Sequence, residues 1–354
     1  MKKFLSLLFG LSLALLVKAQ APSGYYNAAN GLTGTPLKSA LHNIIKGHTS
    51  ISYAQLWNAF WSTDNKGNGV VWDMYSDRPG GVPPYTYYLG QDQCGNYSGE
   101  GDCYNREHSG PQSWFNDQTT PRTDLHHIFP TDGYVNGRRS NYAYGEVSSA
   151  SWTSRNGSKL GTCKTSGFSG TVFEPINEYK GDLARALMYM SVRYYTEDGN
   201  WGSSDMTTKS ELKPWAIQLL LRWNEQDPVS QKEIDRNNAI YNDYQHNRNP
   251  FVDHPEFARK IWDPNWNAVE DLQSAVYLFP NPVDRGQTLH ISGNCDTFDA
   301  VALCDLCGRT LLKASGHAVG EFTVTLPADL AKGCYIVKLM RNGAVVKYEK
   351  LLVK

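Results

Sequence analysis

Strong net charge, abundant cysteine and long apolar segments are all missing from this chain of 354 residues. The formal net charge of −1 excludes a protein whose whole surface is basic and binds nucleic acid in that way. Seven cysteines are too few for a disulfide-rich scaffold of this length. No apolar run after residue 17 approaches the about 18 residues of a membrane span. No H-E-x-x-H motif occurs, which argues against a zinc peptidase of that class.

The N-terminus has the pattern of an export signal. Lys2 and Lys3 precede an apolar run from Phe4 to Val17, and the small residue Ala19 follows. This run is too short for a membrane span but is typical of a cleaved signal peptide. We therefore interpret residues 1–19 as a signal peptide and expect a secreted protein without a membrane span.

Two cysteines, Cys94 and Cys103, bracket a polar loop just before the segment that is richest in candidate catalytic residues. A disulfide between them would brace that segment, and we predict it, with free thiols as the open alternative. Cys304 and Cys307 form a C-x-x-C motif, but the sequence lacks two further zinc ligands at matching spacing. We interpret this second pair as core or disulfide thiols.

Hydrophobic spacing divides the chain into a mixed region and a C-terminal region of short strands. Leu37, Leu41, Ile44 and Ile45 fall on one helical face, and helical patterns recur over residues 182–190 and 210–224. The aromatic-rich segments 57–61 and 70–75 favour extended structure. From about residue 272, alternating apolar segments separated by turn signals predict a small all-β sandwich. The fold class is therefore α+β, with domains over residues 20–272 and 273–354.

Candidate catalytic side chains concentrate in two segments, residues 103–115 and 123–141. Glu107 can hold a hard divalent cation, and the neighbouring His108 can accept a proton near neutral pH. The second segment contains His127, and then Arg138 and Arg139, whose guanidinium groups can hold phosphate. A metal ion, a base and a phosphate clamp are the parts that phosphodiester hydrolysis requires. Each pair alone is weak evidence, because histidine pairs and arginine pairs are common on protein surfaces.

Two features of the sequence limit this interpretation. Adjacent residues of a regular strand face opposite sides, so Glu107 and His108 would face one site only with a bend or bulge at the strand end. Residues 20–276 contain 22 basic against 28 acidic residues, so contact with nucleic acid requires a local patch and a metal ion.

The two segments resemble the bacterial endonuclease I family of secreted and periplasmic nucleases. The matching blocks are N-R-E-H-S-G-P-Q-S-W-F at residues 105–115 and D-L-H-H-I-F-P-T-D-G-Y-V-N-G-R-R-S-N at residues 124–141. Residues 37–45, 223–230, 236–241 and 247–255 also match the family pattern, so the resemblance covers roughly residues 24–265. It implies a ββα-metal nuclease core embedded in a largely helical domain.

The resemblance also implies a role for each candidate residue. His108 is expected to be the general base, Glu107 a metal ligand, and His127 the second ligand, at a position that is often Asn in other members. The expected cofactor is Mg²⁺, with Mn²⁺ or another divalent ion as the alternative, because an imidazole ligand favours softer ions. His126 is interpreted as structural or as a support for the ligands. The expected phosphate contacts are Arg106, Arg138 and Arg139.

Residues 277–354 resemble the C-terminal sorting domain of type IX secretion substrates, through F-P-N-P-V at 279–283, G-C-Y-I-V at 333–337 and K-L-L-V-K at 350–354. Together these features predict a secreted or cell-surface endonuclease that is largely sequence-nonspecific and monomeric. Its expected partners are DNA, with RNA as a further substrate, and the type IX secretion machinery. The alternative is a secreted glycan- or surface-binding protein, because 10 Trp and 21 Tyr offer stacking platforms for sugars.

Overall fold

The computed structural model describes residues 21–263, 277–292, 298–306, 308–316, 321–341 and 344–354. The chain divides into two compact units, Met1–Pro264 and Asn265–Lys354. The signal peptide predicted at residues 1–19 lies outside the described residues, and so does the boundary predicted at residue 272. The domain limits of 20–272 and 273–354 therefore stay predictions. Within the described residues, no helix is both long and apolar enough to cross a membrane.

The first unit is rich in short helices. Its described residues form α1 (Gly34–Ile45), α2 (Gln55–Thr63), α3 (Thr119–Arg122), α4 (Gly133–Arg139), α5 (Lys180–Arg193), α6 (Pro214–Gln226), α7 (Gln231–Ala239), α8 (Pro250–Asp253) and α9 (Phe257–Trp262). A π-helical turn, Ile240–Tyr244, continues α7. A 3-10 turn, Leu125–His127, directly precedes a strand of the candidate site.

The strands of the first unit form three small sheets. They are β1 (Tyr104–His108), β2 (Ile128–Asp132), β3 (Ala143–Tyr144), β4 (Val147–Thr153), β5 (Lys159–Cys163), β6 (Thr171–Glu174), β7 (Thr207–Thr208) and β8 (Glu211–Leu212). β1 pairs with β2, β7 pairs with β8, and the third sheet has the order β3-β6-β5-β4. The sequence does not predict this third sheet, because most residues of β4 are exposed and show no apolar alternation.

Helix α5 is the central element of the first unit, with all 14 of its residues buried. A helix buried on every side must pair its polar groups, and Arg185 accordingly donates to both carboxylate oxygens of Glu233, at 2.6 and 2.9 Å. Tyr189 of α5 donates to Asp124 at 2.8 Å, which ties this helix to the turn before β2. The core therefore fixes the position of the strand pair that carries the candidate site.

The predicted helix over Leu37–Ile45 is confirmed as part of α1, whose residues Leu37, Leu41 and Ile45 are fully buried. The prediction of extended structure at residues 57–61 is wrong, because this segment lies inside α2. Leu56, Ala59 and Phe60 form its buried side, which is the spacing of an amphipathic helix. The aromatic residues of this segment suggested a strand, but its buried positions have the spacing of a helix.

The second unit confirms the predicted all-β sandwich. Its described strands are β9 (Tyr277–Phe279), β10 (Thr288–Ser292), β11 (Ala300–Cys304), β12 (Thr310–Ser315), β13 (Glu321–Thr325), β14 (Gly333–Arg341) and β15 (Ala344–Val353). They form two antiparallel sheets, with the orders β13-β10-β9 and β12-β11-β14-β15. Apolar side chains from both sheets, among them Ile291 and Val337, pack into one core. Cys304 is a buried free thiol, and Cys307 lies outside the described residues.

Candidate active site

The centre of the candidate site is the unit β1–β2–α4. β1 and β2 pair antiparallel in continuous register, from Tyr104 opposite Asp132 to His108 opposite Ile128. Asp132 ends β2 and caps α4, because its carboxylate accepts the Val135 amide at 2.7 Å. The predicted ββα unit is thus present, with α4 following β2 without a loop.

Two further contacts hold this unit in place. Cys94 and Cys103 form the predicted disulfide, which closes the loop before β1. The ring of Tyr97, in that loop, lies on α4, where a Cβ built on Gly133 or Gly137 would come within 2.7 or 2.5 Å of its atoms. The two glycines therefore allow the loop to lie directly against the helix, which brings α4 and the start of β1 together.

Glu107 is buried, and one of its carboxylate oxygens carries all of its hydrogen bonds. Oε1 accepts from Tyr75 at 2.8 Å, from Arg139 at 2.9 Å and from Tyr144 at 3.4 Å. Among the described residues, Oε2 has no hydrogen-bond partner. Burial raises the pKa of Glu107, and the Arg139 charge and the tyrosine hydroxyls oppose this rise. The carboxylate is thus fixed through one oxygen, with the other left to bind a cation.

Arg139 lies in the interior and not at a phosphate site. Its side chain is fully buried, and its guanidinium donates to Glu107 and also to the carbonyls of His108 at 2.8 Å and Ser109 at 2.7 Å. These contacts occupy the group that the sequence assigned to phosphate, so we reassign Arg139 to positioning Glu107. Arg138 is half-buried, and its guanidinium carbon lies 5.4 Å from the ring centre of Trp152. Its role as a phosphate contact stays a prediction.

His108 is held in one tautomer. Its Nε2 lies 3.0 Å from the carbonyl oxygen of Arg122, so Nε2 must carry the proton and donate it. The lone pair therefore lies on Nδ1, where the amide nitrogen of Gln112 is 3.4 Å away. Burial lowers the pKa of His108 to about 3, and the neighbouring His127, Arg122 and Arg106 add to this effect. The ring is neutral at physiological pH, as a general base must be.

The ladder of β1 and β2 shows no bulge, so Glu107 and His108 face opposite sides of β1. The bend or bulge that would turn both to one side is absent from this strand pair. Arg139 crosses the end of β1 and binds both the Glu107 side chain and the His108 backbone. A substrate that contacts both residues must therefore lie against the edge or the end of the strand.

The two histidines of the second segment differ in their surroundings. His126 is buried, and its Nε2 lies 3.2 Å from both oxygens of Asn247, as expected for a structural residue. His127 is also buried, and its Nε2 donates to the carbonyl of Pro121 at 2.6 Å, which leaves Nδ1 unpaired. The ring centre of His127 lies 5.6 Å from that of His108. Its free nitrogen is thus a possible ligand atom on the His108 side.

The structure also brings Asn136, which the sequence did not single out, to the Glu107 side. Asn105 and Glu107 share one face of β1, and Asn136 of α4 donates to Asn105 at 2.7 Å. Arg139, one turn later in α4, binds Glu107. The side-chain oxygen of Asn136 has no hydrogen-bond partner among the described residues. The signal available in the sequence was the i, i+3 spacing of Asn136 and Arg139, which places both on one face if the segment is helical.

Arg106 and Arg122 form a cationic pair on the His108 side. The guanidinium carbon of Arg106 lies 3.6 Å from the ring centre of Tyr53, and that of Arg122 lies 4.4 Å from the same centre. Arg106 also donates to the Tyr53 carbonyl at 2.8 Å. Burial lowers the pKa of Arg106, and the charge of Arg122 contributes. Within the described residues, neither arginine forms an ion pair, so both charges are available to an anion.

The donor set fits a divalent cation that is held by few protein ligands. Carboxylate and amide oxygens, as in Glu107 and Asn136, are the ligands that Mg²⁺ prefers, and Mg²⁺ keeps several of its waters. The described residues contain no group of three or more His, Cys, Asp or Glu side chains that could hold a metal ion. An ion at this site would thus complete its shell with water and substrate oxygens.

Comparison with known proteins agrees with this geometry. A sequence profile of the Endonuclease I family matches residues 33–256, and one for the secretion system C-terminal sorting domain matches residues 277–354. The chain is 39% identical to an extracellular ribonuclease of Bacillus amyloliquefaciens over 260 residues, which are 71% of this chain and 82% of the relative. An extracellular ribonuclease of Bacillus subtilis (strain 168) is 39% identical over 67% of this chain and 78% of its own length.

An extracellular deoxyribonuclease of Aeromonas hydrophila is 26% identical over 70% of this chain and 96% of its own length. The sorting domain and these extracellular relatives indicate a secreted or cell-surface protein. The profile match spans the strands, the turn and the helix that carry Glu107, His108 and Arg139. The family profile matches more than half of the chain, and the structure contains the ββα unit that the resemblance implies. The chain therefore belongs to the Endonuclease I family.

Proposed function

We propose that this protein is a secreted, largely sequence-nonspecific endonuclease that hydrolyses phosphodiester bonds in RNA and DNA, with His108 as general base and Mg²⁺ as cofactor. The observation that carries this proposal is the fixed tautomer of His108, whose Nε2 donates to the Arg122 carbonyl at 3.0 Å. This contact leaves the lone pair on Nδ1, which lies 3.4 Å from the Gln112 side chain. A neutral ring nitrogen with a free lone pair is what removal of a proton from water requires.

In this proposal, each side chain of the site has a separate role. Nδ1 of His108 takes the proton of the attacking water, and the amide nitrogen of Gln112 lies 3.4 Å from the same atom. The guanidinium groups of Arg106 and Arg122 hold phosphate oxygens on the same side. Arg139 keeps the Glu107 carboxylate in one orientation. When bound, the divalent ion supplies charge stabilisation for the phosphate and the leaving oxygen.

For the metal, we propose Glu107 and Asn136 as the protein ligands, and we keep His127 as the alternative second ligand. Glu107 and Asn136 both offer oxygens on one side of β1, because Asn136 binds Asn105, which shares the face of Glu107, and oxygen suits Mg²⁺. His127 offers a nitrogen, which would favour Mn²⁺ or Zn²⁺, but its ring lies on the His108 side, so an ion shared with Glu107 would lie at the edge or the end of β1. The choice between the two ligands therefore also sets the metal preference.

RNA and DNA are both proposed as substrates because of the relatives and the chemistry. Two relatives at 39% identity are named extracellular ribonucleases, and one at 26% is named an extracellular deoxyribonuclease. A base that activates water does not need the ribose 2′-hydroxyl, so the same site serves both polymers. Contacts to phosphate carry no direct sequence information, which supports nonspecific cleavage.

The test of function is cleavage of labelled RNA and plasmid DNA by the wild type, with and without EDTA, and by His108→Ala. We expect Mg²⁺-dependent cleavage that falls about 10²–10⁴-fold in the variant and is partly restored by added imidazole. His246→Asn, an exposed histidine at positive φ, which Asn tolerates, is the matched control and should retain wild-type rates. RNA products with 5′-phosphate ends indicate attack by water, whereas 2′,3′-cyclic phosphates would place the 2′-hydroxyl as nucleophile and refute this mechanism.

A second experiment separates the two ligand assignments. Mg²⁺ and Mn²⁺ affinities are measured by calorimetry for Glu107→Gln, Asn136→Ala and His127→Ala. We expect the first two variants to lose at least tenfold in Mg²⁺ affinity and His127→Ala to lose less than threefold. The reverse order for Asn136 and His127 would favour the histidine ligand. Absence of cleavage with any divalent ion in the wild type would favour the glycan- or surface-binding alternative.

A further inference from the structure

Three aromatic residues, Tyr53, Trp57 and Trp61, occur at intervals of four along α2 and the turn that leads into it. Positions four apart lie on one side of a helix, about 6 Å apart along its axis. Tyr53 and Trp57 are half-buried, and Trp61 is 49% exposed. We call these three side chains the α2 aromatic face.

One end of this face lies at the candidate catalytic base. The ring of Tyr53 stacks beside that of His108, with centroids 6.1 Å apart and an angle of 21° between the planes. Arg106 lies against both Tyr53 and Trp57, with distances of 3.6 and 4.3 Å from its guanidinium carbon to the two ring centres. The aromatic side chains and the cationic pair of Arg106 and Arg122 thus form one surface.

The other end is the indole of Trp61. A Cβ built on Gly69 would lie 3.6 Å from its Cζ3 atom, and one on Gly90 would lie 3.4 Å from its Cζ2 atom. The two loops that contain Gly69 and Gly90 therefore pass next to the benzene part of the indole. About half of the side chain remains in solvent. A large aromatic side chain that is supported and yet exposed is typical of a stacking site.

We infer that the α2 aromatic face binds a single-stranded segment of the nucleic acid substrate, with a nucleobase stacked on Trp61 and phosphates held by Arg106 and Arg122. This inference rests on the proposed nuclease function and extends it to the form of the substrate. Proteins that bind single strands combine a cationic groove with aromatic platforms in this way. The strand then runs from Trp61 along α2 to His108.

Base pairing and charge distinguish between a single strand, a duplex and a glycan as the molecule that binds the α2 aromatic face. In a duplex the faces of the bases are covered by their neighbours, so Trp61 can stack only on unpaired bases. A neutral glycan would also stack on Trp61, but it would leave two guanidinium groups without an anion. Single-stranded nucleic acid has both exposed bases and charged phosphates, so it matches the aromatic part and the cationic part of this surface.

The test measures the affinity of fluorescein-labelled dodecathymidylate and of a labelled 12-base-pair duplex by anisotropy in EDTA, where cleavage is prevented. The variants are Trp61→Leu, which keeps an apolar side chain without a ring, and Trp61→Phe, which keeps a flat ring. We expect Trp61→Leu to weaken single-strand binding by about 5–100-fold and duplex binding by less than twofold. Trp61→Phe should recover most of the single-strand affinity.

Arg122→Met provides a second, independent measurement. Loss of one phosphate contact should reduce the slope of log affinity against log salt concentration by about 1, for single strand and duplex alike. The tryptophan variants should leave this slope unchanged, because stacking releases no counterions. The two variants thus separate the stacking part of the surface from its electrostatic part.

Several results would overturn the inference. Equal losses for single strand and duplex in Trp61→Leu would assign Trp61 a purely structural role. Unchanged single-strand affinity would also refute it, and a simultaneous loss of binding to cellohexaose would identify a sugar platform instead. Because the assay needs no catalysis, a wild type that binds the single strand but cleaves nothing would remove the proposed function and leave the binding face standing.

Discussion

Replacement of Arg139 by methionine is the change from which we expect the largest loss of stability. The guanidinium is fully buried and donates to the Glu107 carboxylate at 2.9 Å and to the carbonyls of His108 and Ser109 at 2.8 and 2.7 Å. Methionine fills most of the volume but removes the charge and all three hydrogen bonds. Glu107 would then be a buried carboxylate without its cation.

The expected loss is about 3–5 kcal/mol, which is the usual cost of removing one partner from a buried ion pair. Hydrogen bonds to charged groups contribute roughly 1.5–3 kcal/mol each, so the three contacts are consistent with the upper part of that range. Protonation of Glu107, whose pKa burial already raises, limits the loss at low pH. The loss of stability in Arg139→Met should therefore be larger at pH 8 than at pH 5. Urea unfolding in EDTA measures the free energy of unfolding at both values.

Arg138→Met is the matched control, because it changes the same residue type one position earlier in α4. Arg138 contacts the Trp152 ring and forms no ion pair within the described residues, so we expect a loss below about 1 kcal/mol. If the two variants lose equal stability, the assignment of Arg139 to positioning Glu107 is wrong. Should Arg139→Met fail to fold, Arg139→Lys retains the charge without the forked geometry and should lose an intermediate amount.

Three further changes test other parts of the site. Asp73 accepts from the backbone amide of Asp132 at 3.0 Å, and burial raises its pKa to about 7, so below that pH the folded state holds its proton. Relative to Asp73→Asn, wild-type stability should fall by on the order of 4 kcal/mol as pH rises from 4 to 8, and an equal difference at both pH values in urea unfolding would contradict this. Replacing Cys94 and Cys103 by serine should lower stability by about 2.5 kcal/mol, with no change on adding reductant to the variant. Saturating Mg²⁺ should raise the melting temperature of the wild type and not that of Glu107→Gln, because only the former binds the ion.

Local patterns in the sequence predicted the parts of the fold that depend on near neighbours. The spacing of Leu37, Leu41 and Ile45 places one face of α1 in the core. The short distance in sequence between Cys94 and Cys103 made their disulfide a reasonable expectation. The strands of the C-terminal unit alternate clearly, and the sandwich followed from them. The helix, the disulfide and each individual strand depend on residues that are close together in the sequence.

Contacts between distant segments set the features that the sequence did not predict. The helical pattern begins at residue 210 in the sequence, but the Ser210 hydroxyl donates to Asp198 at 2.6 Å and α6 begins at Pro214. Residues 57–61 were expected to be extended, but the core contacts of Leu56 and Phe60 make them helical. Propensity is a weak guide where tertiary packing supplies most of the stability.

The candidate site also contains some residues that the sequence pointed to and others that only the fold reveals. The adjacent Glu107 and His108 were chosen from the sequence because their chemistry suits hydrolysis and their segment resembles the endonuclease I family, and their roles stay proposals. The interior position of Arg139 could not, because a pair of arginines in sequence usually lies in solvent and only the fold brings this one beneath β1. The contact of Asn136 with Asn105 depends likewise on how α4 lies across the strand.

Because Glu107 and His108 face opposite sides of β1, the two sides of this strand have different surroundings. On the Glu107 side, Tyr75, Tyr144 and Arg139 all bind a single carboxylate oxygen, so this side is interior and rigid. On the His108 side the surroundings are aromatic and cationic, and they continue along α2 into solvent, so this side can receive a polymer. Under the proposed roles of Glu107 and His108, the scissile phosphate would lie at the edge or the end of β1, where a substrate can contact both side chains. The proposed mechanism is therefore compatible with a regular strand and requires no bulge.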